Sequence, residues 1–223
     1  MFKTETHIHV SEVSPCSKLG AREMVQLYHQ AGFKTIFITD HFKDVYFNNL
    51  GNIPWKDKVT IFLSGYYKAK EEGRKCGMNV LLGAEVMFED NPNHYLIYGI
   101  TKKFLTSYPN FCRMSAEEFY EIAKKHNVFV VQAHPYRDGI CYPTPLCVDG
   151  MEIINANPRH ENDTEKSHQV AKEHDLAIMS GSDAHRLEDI GRTGLLSKKE
   201  IKTANDFIKL LKSGKVEFFM RED

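Results

Sequence analysis

Histidines and carboxylates gather at one kind of position in this chain, the ends of short apolar stretches that resemble β-strands. The first stretch carries His7 and His9, whose i, i+2 spacing points both imidazoles to one face of an extended strand. The later stretches deliver the other candidates, which are Asp40 and His41, Glu85, His94, His134, and Asp183 and His185. Imidazole and carboxylate ligands suit zinc, iron and manganese. Because the strand ends of a β/α barrel build one site at its mouth, we expect these side chains to form a metal centre.

The size of this set indicates how many ions it serves. A catalytic zinc ion takes about three protein ligands, so the set is too large for one ion. It fits two or three ions that share a bridging carboxylate, and Glu85 is the natural bridge. The chain has 5 cysteines, an odd number without a Cys-x-x-Cys pair, which predicts neither a disulfide framework nor a structural zinc site.

Strand and helix patterns alternate along the chain with short connections. The predicted strands span Phe2–Val10, Lys34–Thr39, Asn79–Val86, His94–Tyr98, Val128–Gln132, Gly150–Ile154, Leu176–Met179 and Val216–Phe219. The predicted helices cover about 24–31, 58–76, 115–125, 163–174 and 204–211, and residues 42–57 resemble a long aromatic loop. The alternation predicts a parallel α/β sheet closed into a barrel, and the absence of a linker predicts a single domain over residues 1–223.

Composition excludes several classes of protein. The chain has 29 basic and 30 acidic residues, so no surplus of positive charge favours binding to nucleic acid beyond a short nucleotide. Its longest apolar runs are too short to span a membrane, and its start lacks an apolar signal region, so we expect a cytoplasmic protein. The oligomeric state is left open.

Five short motifs, taken in order, resemble one known family. They are His7-x-His9, Thr39-Asp40-His41, Gly83-Ala-Glu85, Ala133-His134-Pro135 and Gly181-Ser-Asp-Ala-His185. This set is similar to the polymerase and histidinol phosphatase (PHP) family of metal-dependent phosphoesterases, and the resemblance runs from His7 to about Gly191. It implies a distorted (β/α)7 barrel that holds up to three metal ions.

The resemblance also implies how the ligands are shared. His7, His9, Glu85 and Asp183 would hold one ion, Glu85, His94 and His134 a second, and His41 and His185 a third. Family members usually place an Asp or a His a few residues after the His-x-His pair. Here that loop offers Glu12 or Cys16, and either could complete the third site.

Other polar residues near the predicted mouth are candidates for substrate contact. Arg137 and Arg192 are predicted phosphate clamps, because a guanidinium group matches phosphate oxygens bidentately. His160, in the loop that follows the strand at Gly150–Ile154, could donate a proton to the leaving group, and its neighbour Arg159 could touch substrate. We expect Asp40 to orient a neighbouring imidazole rather than to bind metal.

These features predict hydrolysis of a small phosphate ester by a metal-activated water in a two- or three-metal site. The ester could be histidinol phosphate, a sugar phosphate, a nucleotide or phosphotyrosine. One alternative is an amidohydrolase-like hydrolase of C–N or C–O bonds, although no strand-end lysine is evident to bridge metals. A second is a non-catalytic metal-binding module that accompanies nucleic-acid enzymes.

Overall fold

The computed structural model describes residues 1–221 as ten strands and eight α-helices. The strands are β1 (Phe2–Glu5), β2 (Phe33–Ile38), β3 (His41–Phe42), β4 (Asn79–Met87), β5 (His94–Tyr98), β6 (Phe129–Ala133), β7 (Gly150–Asn155), β8 (Ala177–Gly181), β9 (Thr193–Ser197) and β10 (Glu217–Met220). The helices are α1 (Ala21–Gln30), α2 (Asp44–Asn49), α3 (Trp55–Phe62), α4 (Ser64–Cys76), α5 (Lys102–Ser107), α6 (Ala116–Lys125), α7 (Thr164–Glu173) and α8 (Ala204–Lys212).

All ten strands belong to one sheet that nearly closes into a barrel. The strand order is β10-β9-β1-β2-β4-β5-β6-β7-β8, and β3 pairs with β4 off this path. The seam between β1 and β8 is bridged beyond both strands, where Ile8 pairs with Ala184 in parallel. The predicted α/β fold of the (β/α)7 barrel type is therefore confirmed. The chain beyond β1 stays extended through His7 and His9, although the regular strand ends five residues earlier than the sequence pattern predicts.

The prediction that the sheet is parallel is wrong for part of the barrel. Strand β5 runs antiparallel to both β4 and β6, and β9 runs antiparallel to β1 and β10. The connection at residues 88–93 is too short for the crossover of about a dozen residues that a parallel pair needs. Because β5 is reversed, its first residue, His94, reaches the mouth beside Met87 and Ala133.

The aromatic segment after β3 is helical rather than a loop. It contains α2 and α3, and a break at Leu63 separates α3 from α4, where the sequence predicts one helix. Its rings pack inward: Phe42 stacks on Phe111 with centroids 4.2 Å apart, and the Trp55 indole donates a hydrogen bond to the Leu105 carbonyl. These aromatics form a core beside the barrel. Helix α5 and strand β9 lie where the sequence pattern predicts no element.

The end of the barrel opposite the mouth is filled by apolar side chains. Phe207 of α8 packs against Phe37 and Tyr98, with ring centroids 4.6 and 4.8 Å away. All three rings are buried. This packing leaves the other end of the barrel for polar groups. No helix within residues 1–221 is both long and apolar enough to span a membrane.

Candidate metal centre

The mouth of the barrel collects the predicted ligands on short extensions of the strands. His7 and His9 follow β1, where Ile8 between them exchanges hydrogen bonds with Thr39 and forms the bridge to Ala184. That pairing fixes the alternation of the backbone, so both imidazoles point into the barrel. Asp183 follows β8 and is brought beside them by the same bridge.

Four side chains form an inner group at the bottom of the mouth: His7, His9, Glu85 and Asp183. His7 Nε2 lies 3.5 Å from both Glu85 Oε1 and Asp183 Oδ1. His9 Nε2 lies 3.2 Å from Asp183 Oδ1 and 3.5 Å from Glu85 Oε2. A tetrahedral ion with bonds of about 2.0–2.1 Å needs donors roughly 3.3–3.4 Å apart. The observed spacing matches the shell of one small divalent cation.

A side group adjoins the inner group at the Oε1 oxygen of the same glutamate. His94 Nδ1 is 2.9 Å and His134 Nε2 is 3.0 Å from Glu85 Oε1. The three side chains can reach one ion, and Glu85 also belongs to the inner group. The structure thus brings together the shared carboxylate and both sets of partners that the sequence predicts.

An outer group stands nearer to solvent. His9, His41 and His185 place ligand atoms within 4.8 Å of one another. The His9 ring stacks against those of His41 and His185, with centroids 4.1 and 4.3 Å away. His41 Nδ1 also lies 2.6 Å from Glu85 Oε2, so the outer group adjoins the inner one.

The two candidates for completing the outer group lie in different places. Glu12 accepts a hydrogen bond from the Ala21 backbone at the start of α1 and lies 3.5 Å from Lys68 Nζ. It belongs to none of the metal-capable groups found among residues 1–221. Cys16 lies beside His185 and His41, but it too belongs to none of those groups. The Glu12 carboxylate is engaged by the N-terminus of α1. Completion of the outer site by Glu12 or Cys16 therefore stays a prediction.

Buried nitrogen atoms without partners support a cation at the inner group. His7 and His9 are fully buried. Within the part of the chain that the structure describes, His7 Nε2 and both ring nitrogens of His9 have no hydrogen-bond partner. Leaving such groups unsatisfied costs about 1–3 kcal/mol each. A bound ion removes this cost, so the residues present fit a metal.

The charges at the mouth are strongly coupled. Burial alone disfavours the protonated imidazole of His7, but the carboxylates of Glu152, Asp183 and Glu85 outweigh burial and raise its pKa well above the usual range. Burial likewise penalises the ionised form of Glu85, yet the surrounding imidazoles, His94 first among them, hold its pKa well below the usual range. The same balance lowers the pKa of Asp183. The lowered pKa values of Glu85 and Asp183 favour the ionised carboxylates, which is the form that binds a cation.

Two buried glutamates that the sequence analysis missed hold these ligands in place. Glu152, on β7, accepts from His7 Nδ1 at 2.9 Å and from the backbone of His134 at 2.9 Å. Glu5 accepts from the backbone N–H groups of His7 and Ser182, at 3.1 and 3.0 Å. A carboxylate behind an imidazole fixes the tautomer and orientation of a metal ligand. The sequence carries a signal for both residues, since each is an acidic residue within an apolar stretch that predicts a buried strand.

The backbone at the mouth is also specialised. His134 and Asp183 adopt left-handed conformations, with φ of 29° and 48°. Such conformations are uncommon for residues other than glycine and cluster at functional sites. A Cβ atom at Gly181 would come within 2.5 Å of Glu152 Oε1 and 2.6 Å of the His7 Cβ. Only glycine allows the two side chains to meet there.

Two of the predicted substrate-binding residues, Arg137 and His160, lie on the loops around the mouth. Arg137 donates hydrogen bonds to Asp183 Oδ2 at 2.6 Å and to Asn155 Oδ1 at 2.9 Å, so it borders the inner group. His160 Nδ1 lies 2.7 Å from the Asp138 carboxylate at an exposed position. Arg192 lies just before β9, where its carbonyl accepts from the Arg221 backbone. Their roles in catalysis stay predictions.

Two other residues serve the loops around the mouth. The Arg159 guanidinium pairs with both oxygens of the buried Asp189, each at 2.7 Å, and Asp189 in turn accepts from the backbone of His185. Asp40 accepts from the Val10 backbone and the Ser14 hydroxyl. It orients a loop and not the imidazole that the sequence analysis expected.

Comparison with known proteins identifies the family. A family model described as PHP domain matches residues 5–173, and one described as PHP-associated matches residues 161–216. No curated protein matches the chain by sequence. Because the PHP domain model covers well over half of the chain, the match does not rest on the metal ligands alone.

Solved structures share the fold at low sequence identity. A two-domain protein of Bacteroides vulgatus, described as containing a predicted PHP-like metal-dependent phosphoesterase, superposes with a TM-score of 0.72 at 16% identity, over 99% of this chain and 65% of its own length. This chain thus spans just under two thirds of that protein. A Bifidobacterium adolescentis protein, described as a candidate metal-dependent phosphoesterase, gives 0.58 at 16% identity over 96% of each chain.

A third structure carries a different description. It is an amidohydrolase from Chromobacterium violaceum with bound sulfate and no metal, and it gives a TM-score of 0.56 at 14% identity, over 99% of this chain and 98% of its own. These likenesses concern the fold. Together with the match of the PHP domain model to residues 5–173, they lead to one conclusion: the chain belongs to the PHP domain family.

Proposed function

We propose that the protein hydrolyses a small phosphate ester in a reaction that depends on two or three divalent metal ions. The observation that supports this most directly is the shared Glu85 carboxylate, which lies within 3.5 Å of imidazoles from both the inner and the side group. Adjacent ions in such sites supply a nucleophilic hydroxide near neutral pH and polarise the phosphoryl oxygens. Zinc, iron and manganese all suit the ligand set.

The chain's own residues would bind and orient the phosphate. Arg137 is largely buried, and its Nη2 is engaged with Asp183 and Asn155. Its Nε is buried without a hydrogen-bond partner among the described residues, so this donor remains for an oxyanion. A guanidinium fixed in this way can stabilise charge that builds on phosphoryl oxygens.

The charge balance of the chain favours a small substrate. Long polyanions are held by many basic contacts, and this chain has a net charge of −1. We therefore propose a phosphomonoester or a short nucleotide. Exposed Ile140, Tyr142 and Leu187 on loops near the mouth offer apolar contacts to the alcohol part of such an ester.

The test is metal analysis combined with hydrolysis on one sample. Purified protein is assayed for zinc, iron and manganese and for release of nitrophenol from p-nitrophenyl phosphate, before chelation, after chelation and after each metal is restored. We expect two to three ions per chain, loss of activity on chelation and its return with metal. Inorganic phosphate should inhibit competitively. Bound metal without phosphate release would instead favour a non-catalytic metal-binding module.

A second candidate is hydrolysis of a C–N or C–O bond. It is favoured by the amidohydrolase among the solved structures of the same fold. A p-nitrophenyl acetate and p-nitroacetanilide pair, assayed beside the phosphate ester, separates the two. Faster turnover of the amide or carboxylic ester than of the phosphate, without inhibition by inorganic phosphate, would contradict the phosphoesterase proposal.

A further inference from the structure

Asn155, the last residue of β7, lies between a buried carboxylate and an arginine. The residue is buried, and its Nδ2 donates a hydrogen bond to Glu152 Oε2 at 2.9 Å. Its Oδ1 accepts a hydrogen bond from Arg137 Nη2, also at 2.9 Å. One carboxamide therefore turns its donor to a negative charge and its acceptor to a positive charge. A flip of the amide would place an oxygen against the carboxylate and an N–H group against the guanidinium, so only the observed orientation satisfies both neighbours.

The carboxylate that orients this amide also holds predicted metal ligands. His7 Nδ1 lies 2.9 Å from Glu152 Oε1, and the His134 backbone donates to Glu152 Oε2 at 2.9 Å. Asn155 Oδ1 accepts a second hydrogen bond from the backbone of Asn157 at 3.2 Å, which limits rotation of the side chain further. Glu152 therefore fixes the Asn155 amide and the imidazole of His7 relative to each other.

The arginine uses a single nitrogen for both of its acceptors. Arg137 Nη2 donates to Asp183 Oδ2 at 2.6 Å and to Asn155 Oδ1 at 2.9 Å, so both hydrogens of this nitrogen are engaged. Arg137 Nε is buried and has no hydrogen-bond partner among the residues that the structure describes. Without the Asn155 contact, the guanidinium could turn onto both oxygens of Asp183, because arginine and carboxylate groups favour a bidentate pair. That turn would consume the donor that is otherwise left for an oxyanion.

A second asparagine of the same loop has a different partner. Asn157 is buried, and its Nδ2 lies 3.2 Å from the Asp183 carbonyl and 3.4 Å from Asp183 Oδ2. It thus contacts a predicted metal ligand, whose backbone is left-handed with a φ of 48°. Asn155 is the asparagine of this loop that contacts Arg137. The two side chains therefore separate support of the metal ligand from support of the arginine.

We infer that Asn155 is a positioning residue, which holds Arg137 in the orientation that leaves its Nε for a phosphoryl oxygen. The inference rests on the proposed function, because it takes Arg137 as the residue that contacts the phosphate. Asn155 acts only through the guanidinium and touches neither metal nor substrate. Its effect should therefore appear in the affinity for an oxyanion and should vanish when Arg137 is removed.

The test is a double-mutant cycle that is measured by phosphate binding. Zinc-loaded wild type, Asn155→Ala, Arg137→Ala and the double variant are titrated with inorganic phosphate in a calorimeter, and kcat/KM for p-nitrophenyl phosphate is measured on the same samples. We expect Asn155→Ala to weaken phosphate binding and to lower kcat/KM roughly 10- to 100-fold, because misplacement of a group by about 1 Å costs up to about 10²-fold. The double variant should bind phosphate no more weakly than Arg137→Ala, since the two residues act as one unit.

Zinc content distinguishes a positioning role from general damage to the mouth. It should stay at the wild-type level in Asn155→Ala, because the contacts of Glu152 with His7 and His134 remain. Asn155→Ser is too short to reach both neighbours, so it should reproduce the effect of Asn155→Ala and guards against a folding defect of one variant. The matched control is Asn205→Ala, at an exposed position of α8, which should bind phosphate like the wild type.

Several results would overturn the inference. Additive losses in the double variant, or loss of zinc in both Asn155 variants, would mean that Asn155 acts on the metal ligands. Wild-type affinity for phosphate in Arg137→Ala, or wild-type protein that binds no phosphate, would mean that Arg137 presents no donor to an oxyanion. Hydrolysis of the ester with additive losses defeats only the inference, whereas phosphate binding that follows the cycle without hydrolysis of any ester defeats only the proposed function.

Discussion

The mouth of the barrel has two parts that are built in different ways. The floor consists of the buried metal ligands, such as His7, His9 and Glu85, and the rim consists of the exposed loops that carry Asp138 and His160. On the floor, the side chains of His7, His9 and Glu85 are at most 1% exposed, and buried groups hold their positions. On the rim, His160 pairs with Asp138, and both side chains are more than a third exposed. Buried neighbours therefore fix the positions of the side chains on the floor, whereas side chains on the rim can be substituted without loss of the fold.

This difference indicates where the two parts of the function reside. Metal ligands that are held by a second layer of buried carboxylates cannot shift easily, because a displaced ligand would leave a buried charge without its partner. Such a site is suited to one reaction. Loops at the mouth of a barrel tolerate substitution and determine which molecule is bound. We expect changes on the floor to abolish metal binding and changes on the rim to alter substrate preference.

Substitution of the shared carboxylate should have the largest effect. In Glu85→Gln, the bridge between inner and side groups loses its charge and one metal-binding oxygen. Metal content should fall by at least one ion per chain, and phosphate release by at least about 10³-fold, more than the loss of a single oxyanion donor usually costs. Metal analysis and hydrolysis of p-nitrophenyl phosphate measure both. Retention of full metal content would show that Glu85 is not a bridge.

Arg137 lies between floor and rim, so its substitution sharpens the comparison. Arg137→Lys keeps the positive charge but loses the planar guanidinium, whose Nη2 engages both Asp183 and Asn155. We expect kcat/KM for phosphate esters to fall about 10²-fold, within the range for removal of one transition-state donor. Zinc content should change little. Loss of metal in step with activity would mean that Arg137 only holds Asp183.

Glu152 tests whether the floor depends on its second layer. Glu152→Gln retains the size of the side chain but removes the charge behind His7 Nδ1. Metal affinity should fall roughly 10- to 100-fold, as is typical when a partner of a metal ligand is lost. Excess zinc should restore most of the activity. The control is Glu165→Gln on the exposed side of α7, which should bind zinc like the wild type; an equal loss in both variants would contradict the prediction.

The sequence made the floor predictable, because metal ligands at the ends of buried strands have few other reasons to be there. All the strand-end ligands His7, His9, Glu85, His134 and Asp183 meet in the structure. Glu152 was missed, since a single acidic residue within an apolar strand is ambiguous until its neighbours across the sheet are known. Its partner His7 is 145 positions away, and such pairing follows from the closed sheet and not from local pattern.

Some other elements of the fold could have been predicted from the sequence but were overlooked, and others have no local signal in the sequence. The turn at Asn91-Pro-Asn between two strands already favours a hairpin, which would have given the antiparallel β5. By contrast, β9 pairs with β1, which lies near the other end of the sequence, and no local signal identifies this pairing. The fold does show that the Glu12 carboxylate is engaged by the backbone at the start of α1, a contact that the sequence alone could not predict.

With p-nitrophenyl phosphate, substitution of His160 should show the smallest effect of the series, whereas with an alkyl phosphate the effect should be larger. If His160 protonates the leaving alcohol, His160→Asn should slow hydrolysis of an alkyl phosphate by about 10²-fold, the lower range for general acid catalysis. Nitrophenyl phosphate should be affected less than several-fold, because nitrophenolate leaves without a proton. A second variant tests the same role, because the Asp138 carboxylate lies 2.7 Å from His160 Nδ1. Asp138→Asn should also slow the alkyl ester more than the aryl ester, but by a smaller factor.

The contrast between the two substrates is the measurement that matters for the rim. Equal slowing of alkyl and aryl esters would assign His160 to substrate binding, because a lost contact affects both leaving groups alike. Unchanged rates with both esters would show that His160 takes no part in the reaction. The exposed His160–Asp138 pair would then only connect Asp138 to the loop after β7, as the hydrogen bond from the Glu161 backbone to Asp138 already does. In either case metal content should match the wild type, since the pair touches no ligand on the floor; a loss of metal would mean that rim and floor are not separate, and the comparison would fail.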